Sequence, residues 1–314
     1  MTFPLFPDQA STVARQVDAL FFALIALCGS VLLLILVAMV AFLFKYRRAK
    51  PADRSPRRLP TTAIEVSWTV IPTLLFMGVF AWGAVVYFDI QHVPEGTIHI
   101  NVVGKQWMWK IQHPNGVREI DELHVPVGRV VKLTMASQDV IHSFFIPAFR
   151  IKQDVVPGRY SSEWFVATKP GKYHIFCAEY CGKDHSGMIG SVVVMKPEDY
   201  EQWLVNGAPS ATLAQSGEKL FRELGCSGCH VGTGVVRAPP LEGIFGRPTP
   251  LQNGQVVIAD EGYIRDSILL PQKHVAAGYE PLMPTFQGRI NEEELLELMA
   301  YIKSMGAKQS EGRP

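Results

Sequence analysis

Two long apolar runs on either side of a short basic stretch constrain this chain more than any other feature. The first run, Ala19 to Phe44, contains no charged residue, and neither does the second, Val66 to Phe88. Crossing a hydrocarbon core of about 30 Å takes about 20 helical residues, and a helix of a soluble domain is rarely apolar on every side over that length. We therefore predict two transmembrane helices, over residues 19–44 and 63–89.

The stretch between the runs predicts their orientation. Residues 45–58, KYRRAKPADRSPRR, hold seven Lys or Arg against one Asp. Under the positive-inside rule the loop 45–62 is cytoplasmic, so the N-terminal segment 1–18 and everything after the second helix lie on the other side. A cleavable signal peptide is a poor alternative, because the first run is too long and no basic segment precedes it. Cys28 permits a lipoprotein alternative, but Leu27 is not the small residue that such processing requires.

The chain after the second helix begins with a β-rich part. Short runs of β-branched and aromatic residues alternate there with Gly and Pro, and the clearest are TIHINVVG, RVVKLTMA, KYHIFC and IGSVVVM. This texture predicts an antiparallel β-sandwich over residues 90–205. The net charge of +1 gives no reason to expect nucleic acid as a partner.

A helical part follows the β-rich part. The small and polar residues of VNGAPSATLAQSG predict a linker at 206–216. The patterns GEKLFRELG and NEEELLELMAYIKSM then predict a helical domain over residues 217–308, with Asn291 as the N-cap of its last helix and a tail at 309–314.

The helical part contains the pattern Cys-x-x-Cys-His at Cys226, Cys229 and His230. This is the attachment signature of a c-type haem, in which two thiols bind one haem edge and the adjacent His is held under the iron. A thioredoxin-like pair would need a βαβ frame, and a zinc site would need further ligands nearby. Met283, flanked by prolines in YEPLMPTF, is the candidate for the sixth iron ligand, and His274 is its competitor.

Residues 217–305 resemble a class I cytochrome c. The shared motifs are GEKLFRELGCSGCH, Leu-x-Gly-x-x-Gly-Arg from Leu241 to Arg247, Met-Pro-x-Phe, and a C-terminal helix with an aromatic residue at Tyr301. The resemblance implies one covalently bound haem c. In that family the carbonyl of a Pro accepts a hydrogen bond from the His below the iron, and the corresponding residue here is Pro239.

A second ligand-rich stretch, CAEYCGKDHSGM, occupies residues 177–188. A disulfide between Cys177 and Cys181 is one interpretation outside the cytoplasm, and a Cys2His2 zinc site with a remote His is another. Copper is the third, because blue-copper sites take two His, one Cys and a weak Met ligand. With His142 the stretch supplies this set and one additional thiolate, which favours two bridged copper ions that pass electrons.

The copper interpretation resembles the binuclear CuA centre of cytochrome c oxidase subunit II. The pattern C-x-E-x-C-x3-H-x2-M, an upstream His and two helices before a sandwich are shared with that family, and GKQWMWK resembles its G-H-Q-W-x-W with Lys105 in place of the His. The copper ligands implied by the resemblance are His142, Cys177, the Glu179 carbonyl, Cys181, His185 and Met188.

The resemblance also implies roles for three further groups. The Glu179 side chain would face a magnesium ion at the border with subunit I. Trp107 corresponds to the tryptophan through which electrons enter, although an aromatic residue that only shields a metal would look the same. Glu65 corresponds to a glutamate near the mouth of the proton path called the K-channel, although a Glu at a helix N-terminus is also explained by the helix dipole alone.

Taken together, residues 19–305 resemble subunit II of caa3-type oxidases. The implied architecture is a multi-domain membrane protein with a two-helix transmembrane hairpin, an all-β cupredoxin-like sandwich and an all-α class I cytochrome c domain. The implied function is relay of electrons from the chain's own haem to CuA and on to subunit I, where dioxygen is reduced to water with proton translocation. The linker at 206–216 is expected to let the haem domain swing.

The resemblance also implies the surroundings of the chain. The expected partners are subunit I, other oxidase subunits, the lipid membrane, and an upstream donor such as a bc-type complex, a soluble cytochrome c or another small redox protein. The expected location is the bacterial inner membrane, with the copper and haem domains on the periplasmic side.

Three other functions compete with this interpretation. The alternative of a CuA-bearing subunit of a nitric oxide reductase stays open, because the partner subunit carries out the reaction. A quinol oxidase subunit II would lack the copper ligands. A copper-delivery or thiol-redox protein would give no reason for a haem domain.

Overall fold

The computed structural model describes residues 6–47, 61–207, 211–231 and 238–307. Residues 12–93 form one compact unit, and the other described residues form a second. Most of the predicted basic loop 45–62 and the whole predicted tail 309–314 lie outside the described residues.

The first unit is a pair of helices, α1 (Thr12–Lys45) and α2 (Thr61–Gln91). Both are long and apolar enough to cross a membrane, and large apolar side chains are exposed along their length, as lipid-facing side chains are. Helix α1 begins at Thr12 rather than at the predicted residue 19, because TVARQVD contains no Gly or Pro that would delay the helix.

The segment before α1 packs on the β-domain that follows α2. Backbone hydrogen bonds of 2.9 and 2.8 Å join Ala10 to Ala148 and Thr168, and the Ser11 hydroxyl donates to the Phe149 carbonyl at 2.8 Å. The segment that precedes α1 therefore belongs to the same compact unit as the β-domain.

The β-domain consists of ten strands. They are β1 (Ile98–Lys105), β2 (Met108–Gln112), β3 (Arg118–Ile120), β4 (Glu122–Pro126), β5 (Val130–Ser137), β6 (His142–Ile146), β7 (Ile151–Val155), β8 (Ser161–Val166), β9 (Gly171–Cys177) and β10 (Ile189–Met195). They form two five-stranded sheets, in the orders β3-β2-β1-β5-β8 and β4-β10-β9-β6-β7. All four runs predicted as strands are strands, and the domain is a sandwich.

The sequence predicts a purely antiparallel sandwich, but the structure contains two parallel strand pairs. Strand β1 pairs in parallel with β5, with Ile98 opposite Val131, and β4 pairs in parallel with β10, with Leu123 opposite Val192. Parallel neighbours need a long crossover, and three strands lie between β1 and β5 in the chain. Short hairpins alone would have given the predicted arrangement.

One carboxyl group of β8, that of Glu163, has a buried oxygen without a hydrogen bond. Glu163 of β8 stands opposite the fully buried Leu133, and its Oε1 is buried with no hydrogen bond. Burial raises the pKa of Glu163 to about 8. The folded state therefore holds this carboxyl protonated in a pH range where the unfolded chain ionises it.

We expect Glu163 to make folding pH-dependent. Because its pKa is higher in the folded state than the ~4.3 of an unfolded chain, its contribution to stability is full below about pH 4 and is lost as the pH rises towards 8. Glu163→Gln should therefore raise the unfolding temperature of the β-domain at pH 8 and change it little at pH 4.5, measured by thermal unfolding of the purified chain. The exposed Glu95→Gln is the control, and an equal effect of Glu163→Gln at both pH values would contradict this assignment.

The helical domain follows α3 (Pro197–Asn206), which closes the β-domain. Its elements are α4 (Leu213–Glu223), α5 (Ser227–His230), the hairpin strands β11 (Pro248–Pro250) and β12 (Val256–Ile258), α6 (Glu261–Leu269) and α7 (Glu292–Ala307). Helix α4 begins inside the predicted linker 206–216, because Thr212 and Gln215 form a capping box.

The terminal helices α4 and α7 touch through their backbones. A Cβ at Gly217 would lie 1.9 Å from the Glu297 carbonyl oxygen, and four residues further along α4 the Phe221 ring packs on Tyr301 at 5.3 Å. Asn291 caps α7, since its Oδ1 accepts from the backbone N–H groups of Glu293 and Glu294 at 2.9 and 3.1 Å. This crossing holds the first and last helices of the domain together.

Candidate functional site

The ligand-rich stretch forms one end of the β-sandwich. Cys177 is the last residue of β9, His142 is the first residue of the neighbouring strand β6, and Met188 directly precedes β10. Phe144 stands opposite Cys177 in the β6–β9 pairing, which brings His142 to the same edge as the loop. Two adjacent strands therefore position the side chains that the sequence separates.

The two cysteines are close together but not bonded. Their Sγ atoms are 3.7 Å apart, whereas a disulfide requires about 2.05 Å, and both are free thiols. Four further donor atoms surround them: His142 Nδ1 at 3.9 Å and the Glu179 carbonyl at 3.3 Å from Cys177 Sγ, and His185 Nδ1 at 3.4 Å and Met188 Sδ at 3.8 Å from Cys181 Sγ.

These separations fit shared metal ions. Two donor atoms that each lie about 2.0 to 2.3 Å from one tetrahedral metal are about 3.3 to 3.8 Å apart. The donor set of two thiolates, two imidazoles, a thioether and a carbonyl is soft, as copper prefers. Cys177, Cys181 and Met188 are buried, so the sulfur atoms lie in a site from which water is excluded.

The two thiols cannot easily ionise together without a cation. Burial opposes ionisation of Cys177, but hydrogen bonds with His142 and the backbone outweigh it and lower its pKa to about 6. Burial and the neighbouring Cys177 raise the pKa of Cys181 to about 12. A metal ion bound between them would compensate the second negative charge.

Asp139 holds His142 in place, and the sequence alone did not single it out. Its Oδ1 lies 2.8 Å from His142 Nε2, while its Oδ2 accepts from the Gln106 backbone N–H at 2.7 Å. This leaves Nδ1 of the imidazole directed at the sulfur atoms. The signal was present, since Asp139 stands three residues before His142 in SQDVIH.

Trp107 is bound to the cysteine loop. Its Nε1 donates to the Cys181 carbonyl at 3.2 Å, and the Gln106 amide donates to the same oxygen at 2.8 Å. Gly182 follows with φ of 117°, and a Cβ there would lie 2.8 Å from Gln106 Nε2, so only glycine fits. Trp107 thus lies against the candidate metal loop, and its role in electron transfer stays a prediction.

Two predicted carboxyl groups lie away from the sulfur cluster. The Glu179 side chain is about half exposed and lies 3.6 Å from Lys152 Nζ, so only the backbone carbonyl of Glu179 belongs to the donor set. Glu65 lies in the second turn of α2 and is exposed, and its carbonyl accepts from the Thr69 hydroxyl. Their predicted roles towards magnesium and protons stay predictions.

The Cys-x-x-Cys-His motif lines a large apolar cavity in the helical domain. The cavity holds about 960 Å³ of space, part of it open to solvent. Cys226 and His230 lie on its wall with Met283. Cys229 lines the adjoining mouth.

His230 is oriented by a hydrogen bond. Its Nδ1 lies 2.9 Å from the Pro239 carbonyl, which can only accept, so Nδ1 carries the proton and Nε2 is left free as a ligand. Phe221 packs beside the ring at 6.4 Å. The side chains present therefore fit a haem whose iron His230 would hold from one side.

Met283 and His274 both line the cavity, and the geometry favours Met283. Met283 lines both the cavity and its mouth beside Cys226 and His230, whereas His274 lines the cavity alone and has its Nε2 3.6 Å from Asp266 Oδ2. The Met283 thioether is half-buried on the cavity wall between two prolines.

A second cluster with metal-ligand chemistry is explained by its own contacts. Glu119, Glu122 and His124 lie close enough to share an ion. The Glu119 carboxylate, however, lies 2.7 Å from His113 and 2.5 Å from His124, and Trp203 of α3 stacks on His124 at 4.4 Å. The cluster thus joins α3 to the β-domain.

Comparison with known proteins agrees with this arrangement. Three family models match in order along the chain: cytochrome c oxidase subunit II, transmembrane domain (residues 2–83), the periplasmic domain of the same subunit (117–196) and cytochrome c (214–306). A cytochrome c oxidase subunit 2 of Alkalihalophilus pseudofirmus is 32% identical over 300 residues, covering 88% of this chain and 85% of that protein.

Two further relatives match part of the chain. A cytochrome c oxidase subunit 2 of Synechocystis sp. is 29% identical over 256 residues, covering 66% of this chain and 77% of that protein. The crystal structure of the periplasmic domain of subunit II of cytochrome oxidase from Bradyrhizobium japonicum is 32% identical, with a TM-score of 0.36, and covers 37% of this chain and 96% of that one.

Proposed function

The chain belongs to the cytochrome c oxidase subunit II family, and from this premise we propose that it is the caa3-type subunit that relays electrons from its own c-type haem to a binuclear CuA centre and on to subunit I. It is a membrane protein and a subunit of a haem-copper oxidoreductase, with a cytochrome c domain after the subunit II domain. The subunit II domain implies copper, and the cytochrome c domain implies haem.

One observation carries the proposal: a single chain brings two complete donor sets together in two neighbouring domains. The proposed copper ligands are His142, Cys177, the Glu179 carbonyl, Cys181, His185 and Met188, whose donor atoms converge at the edge of the sandwich. The proposed haem attachments are Cys226 and Cys229, and the proposed iron ligands are His230 and Met283.

Bound copper and haem would supply reversible one-electron oxidation and reduction. The residues of the chain fix the geometry in which this takes place. Asp139 and the Pro239 carbonyl each hold one imidazole so that its other nitrogen is available as a ligand. The cysteine loop is held between β9 and β10 and by Gln106 and Trp107, so its ligand atoms have little freedom to rearrange when the charge changes.

Three roles at the edge of the site complete the proposal. Trp107, bound to the Cys181 carbonyl, is the residue through which electrons reach the copper. The Glu179 carboxylate would contribute to a magnesium site at the border with subunit I. Glu65 would lie near the cytoplasmic mouth of the K-channel.

The terminal reaction belongs to the partner. We propose that subunit I reduces dioxygen to water with proton translocation, in the bacterial inner membrane with the copper and haem domains on the periplasmic side. The donor would be a bc-type complex, a soluble cytochrome c or another small redox protein. Purifying the chain with its partner subunits and comparing dioxygen with nitric oxide consumption separates this oxidase from a nitric oxide reductase.

His230→Ala should separate the two routes of reduction. Without His230 the haem pocket loses the ligand that Pro239 orients, so a soluble ferrous cytochrome c should no longer reduce the copper in the purified complex. A small artificial reductant should still reduce it directly. The measurement is the rate of copper reduction, followed by its near-infrared absorbance, with each reductant in turn.

The control for His230→Ala is His174→Ala, an exposed histidine on β9, which should leave both routes unchanged. Equal loss of both routes in His230→Ala would contradict the order haem first, copper second. Absence of a binuclear copper band in the reduced-minus-oxidised spectrum of the wild-type chain would contradict the relay altogether.

A further inference from the structure

The outer face of the sheet that contains β1 carries a fully buried valine. Residues of a strand alternate between its two faces, so Ile100 and Val102 point into the sandwich while Val103 points outward. Val103 is nevertheless 0% exposed. It belongs to an apolar cluster with Leu295 and Leu296 of α7, so the helical domain covers this face.

Two ion pairs flank this apolar contact. Lys110 stands next to Val103 in the β1–β2 pairing and pairs with Glu293 of α7, and Arg118 of β3 pairs with Glu297. Residues four apart lie on the same side of a helix, so both glutamates face the sheet.

The contact is partly desolvated. The Glu297 side chain is only 7% exposed, and a buried carboxylate is costly unless a cation compensates it. Arg118 is that cation. Nearby, the Arg265 guanidinium lies 5.4 Å from the centre of the Tyr160 ring, and Glu292 binds the same guanidinium at 2.5 Å. The β-domain thus offers the cations Lys110 and Arg118 to glutamates of α7, and the Tyr160 ring to Arg265 of the helical domain.

The contact residues Glu293, Leu296 and Glu297 of α7 do not line the haem cavity or its mouth. Among the described residues, every residue that lines the cavity and its mouth lies between 221 and 302, and none comes from the β-domain. At the mouth Cys229 is exposed and Leu282 is 59% exposed.

We propose that the haem domain docks on the β-domain through helix α7, that charge holds this contact, and that the haem cavity stays open to an external electron donor. The contact, here called the α7 dock, joins Val103, Lys110 and Arg118 of the β1–β3 face to Glu293, Leu296 and Glu297 of α7. One side of the domain then serves the copper domain while another receives the donor, so the domain need not swing between them. This inference rests on the proposed function, which supplies the roles of the two domains.

A zero-length carbodiimide cross-linker tests the dock directly, because it joins an amine to a carboxylate only when the two touch. Applied to the full-length purified chain, it should link Lys110 to Glu293, as identified by peptide mass spectrometry. The link between Lys303 and Glu261, which pair at 2.7 Å inside the helical domain, is the internal standard. The Lys110–Glu293 yield should fall with added salt more steeply than the standard, since screening acts across the dock.

Charge reversal sharpens the test. Arg118→Glu faces Glu297 with a like charge and should lower the Lys110–Glu293 yield about fivefold relative to the standard, since like-charge contacts oppose binding. Adding Glu297→Arg should restore it to within about twofold. The matched control is Lys172→Glu, an exposed lysine that pairs with Glu122 on the other sheet, which should change nothing.

Three outcomes would overturn the dock: no Lys110–Glu293 link in the wild-type chain although the standard forms, an unchanged yield in Arg118→Glu, or no restoration by the second substitution. If Arg118→Glu loses the standard as well, the variant has unfolded, and the salt series of the wild-type chain decides.

The rate of electron transfer from a soluble donor tests whether the haem cavity is open. The cross-linked chain should accept electrons from a soluble ferrous class I cytochrome c within about twofold of the untreated rate, because the dock leaves the mouth free. A tenfold loss would overturn this half of the proposal. If the haem of the untreated chain passes no electron to the copper, the relay fails while the cross-link still reports the dock.

Discussion

Gly217→Ala should disrupt the helical domain more than a methyl group added at any other described glycine of that domain. The added Cβ would lie 1.9 Å from the Glu297 carbonyl oxygen and 2.5 Å from its carbon. These are backbone atoms in the middle of α7, so no side-chain rotation relieves the clash. The two helices must separate, which also disturbs the packing of Phe221 on Tyr301.

We expect a destabilisation on the order of 3 kcal/mol, at the upper end of overpacked sites. The measurement is thermal unfolding of the purified full chain, followed by haem absorbance, together with the haem content of the chain as expressed. The control is Lys219→Ala in the same helix, whose side chain is 77% exposed, and which should stay within about 0.5 kcal/mol of the wild type. An unfolding temperature in Gly217→Ala equal to that of Lys219→Ala would show that α4 and α7 do not approach as described.

The order of the domains and most of the donor set followed from local patterns. The four β runs became strands because alternating β-branched residues suit a half-buried sheet, and Cys177, Cys181, His185 and Met188 stand close together in sequence. His142 stands 35 residues from Cys177 in the chain, and its place beside Cys177 depends on the pairing of β6 with β9, which no local pattern specifies.

The contacts between distant segments could not be predicted from the sequence. Asp139 is positioned by the Gln106 backbone N–H, and nothing in either segment specifies that pairing. The parallel pairing of β1 with β5 depends on how the whole sandwich closes. The pairing of Glu297 with Arg118 joins two domains, and nothing in the sequence of either segment specifies it.

Cys181→Ser should empty the copper site while leaving the haem attached. Cys181 Sγ lies 3.4 Å from His185 Nδ1 and 3.8 Å from Met188 Sδ, and it also faces Cys177 Sγ at 3.7 Å. A serine hydroxyl stays protonated and is a hard ligand, so the soft donor set that favours copper loses its centre. We expect the copper-to-haem ratio of the purified full chain to fall about tenfold or more, as measured by elemental analysis against haem absorbance.

Cys28→Ser is the matched control, because Cys28 is also a free thiol but lies in α1, far along the chain from the loop. It should keep the wild-type ratio. Haem serves as the internal reference, since Cys226, Cys229 and His230 belong to the other domain. A wild-type copper ratio in Cys181→Ser would show that copper binding does not need this thiolate, which contradicts the assignment of a thiolate-bridged binuclear site. Parallel loss of haem would instead show that the loop supports the fold of the whole chain, because a defect confined to the metal loop leaves the helical domain untouched.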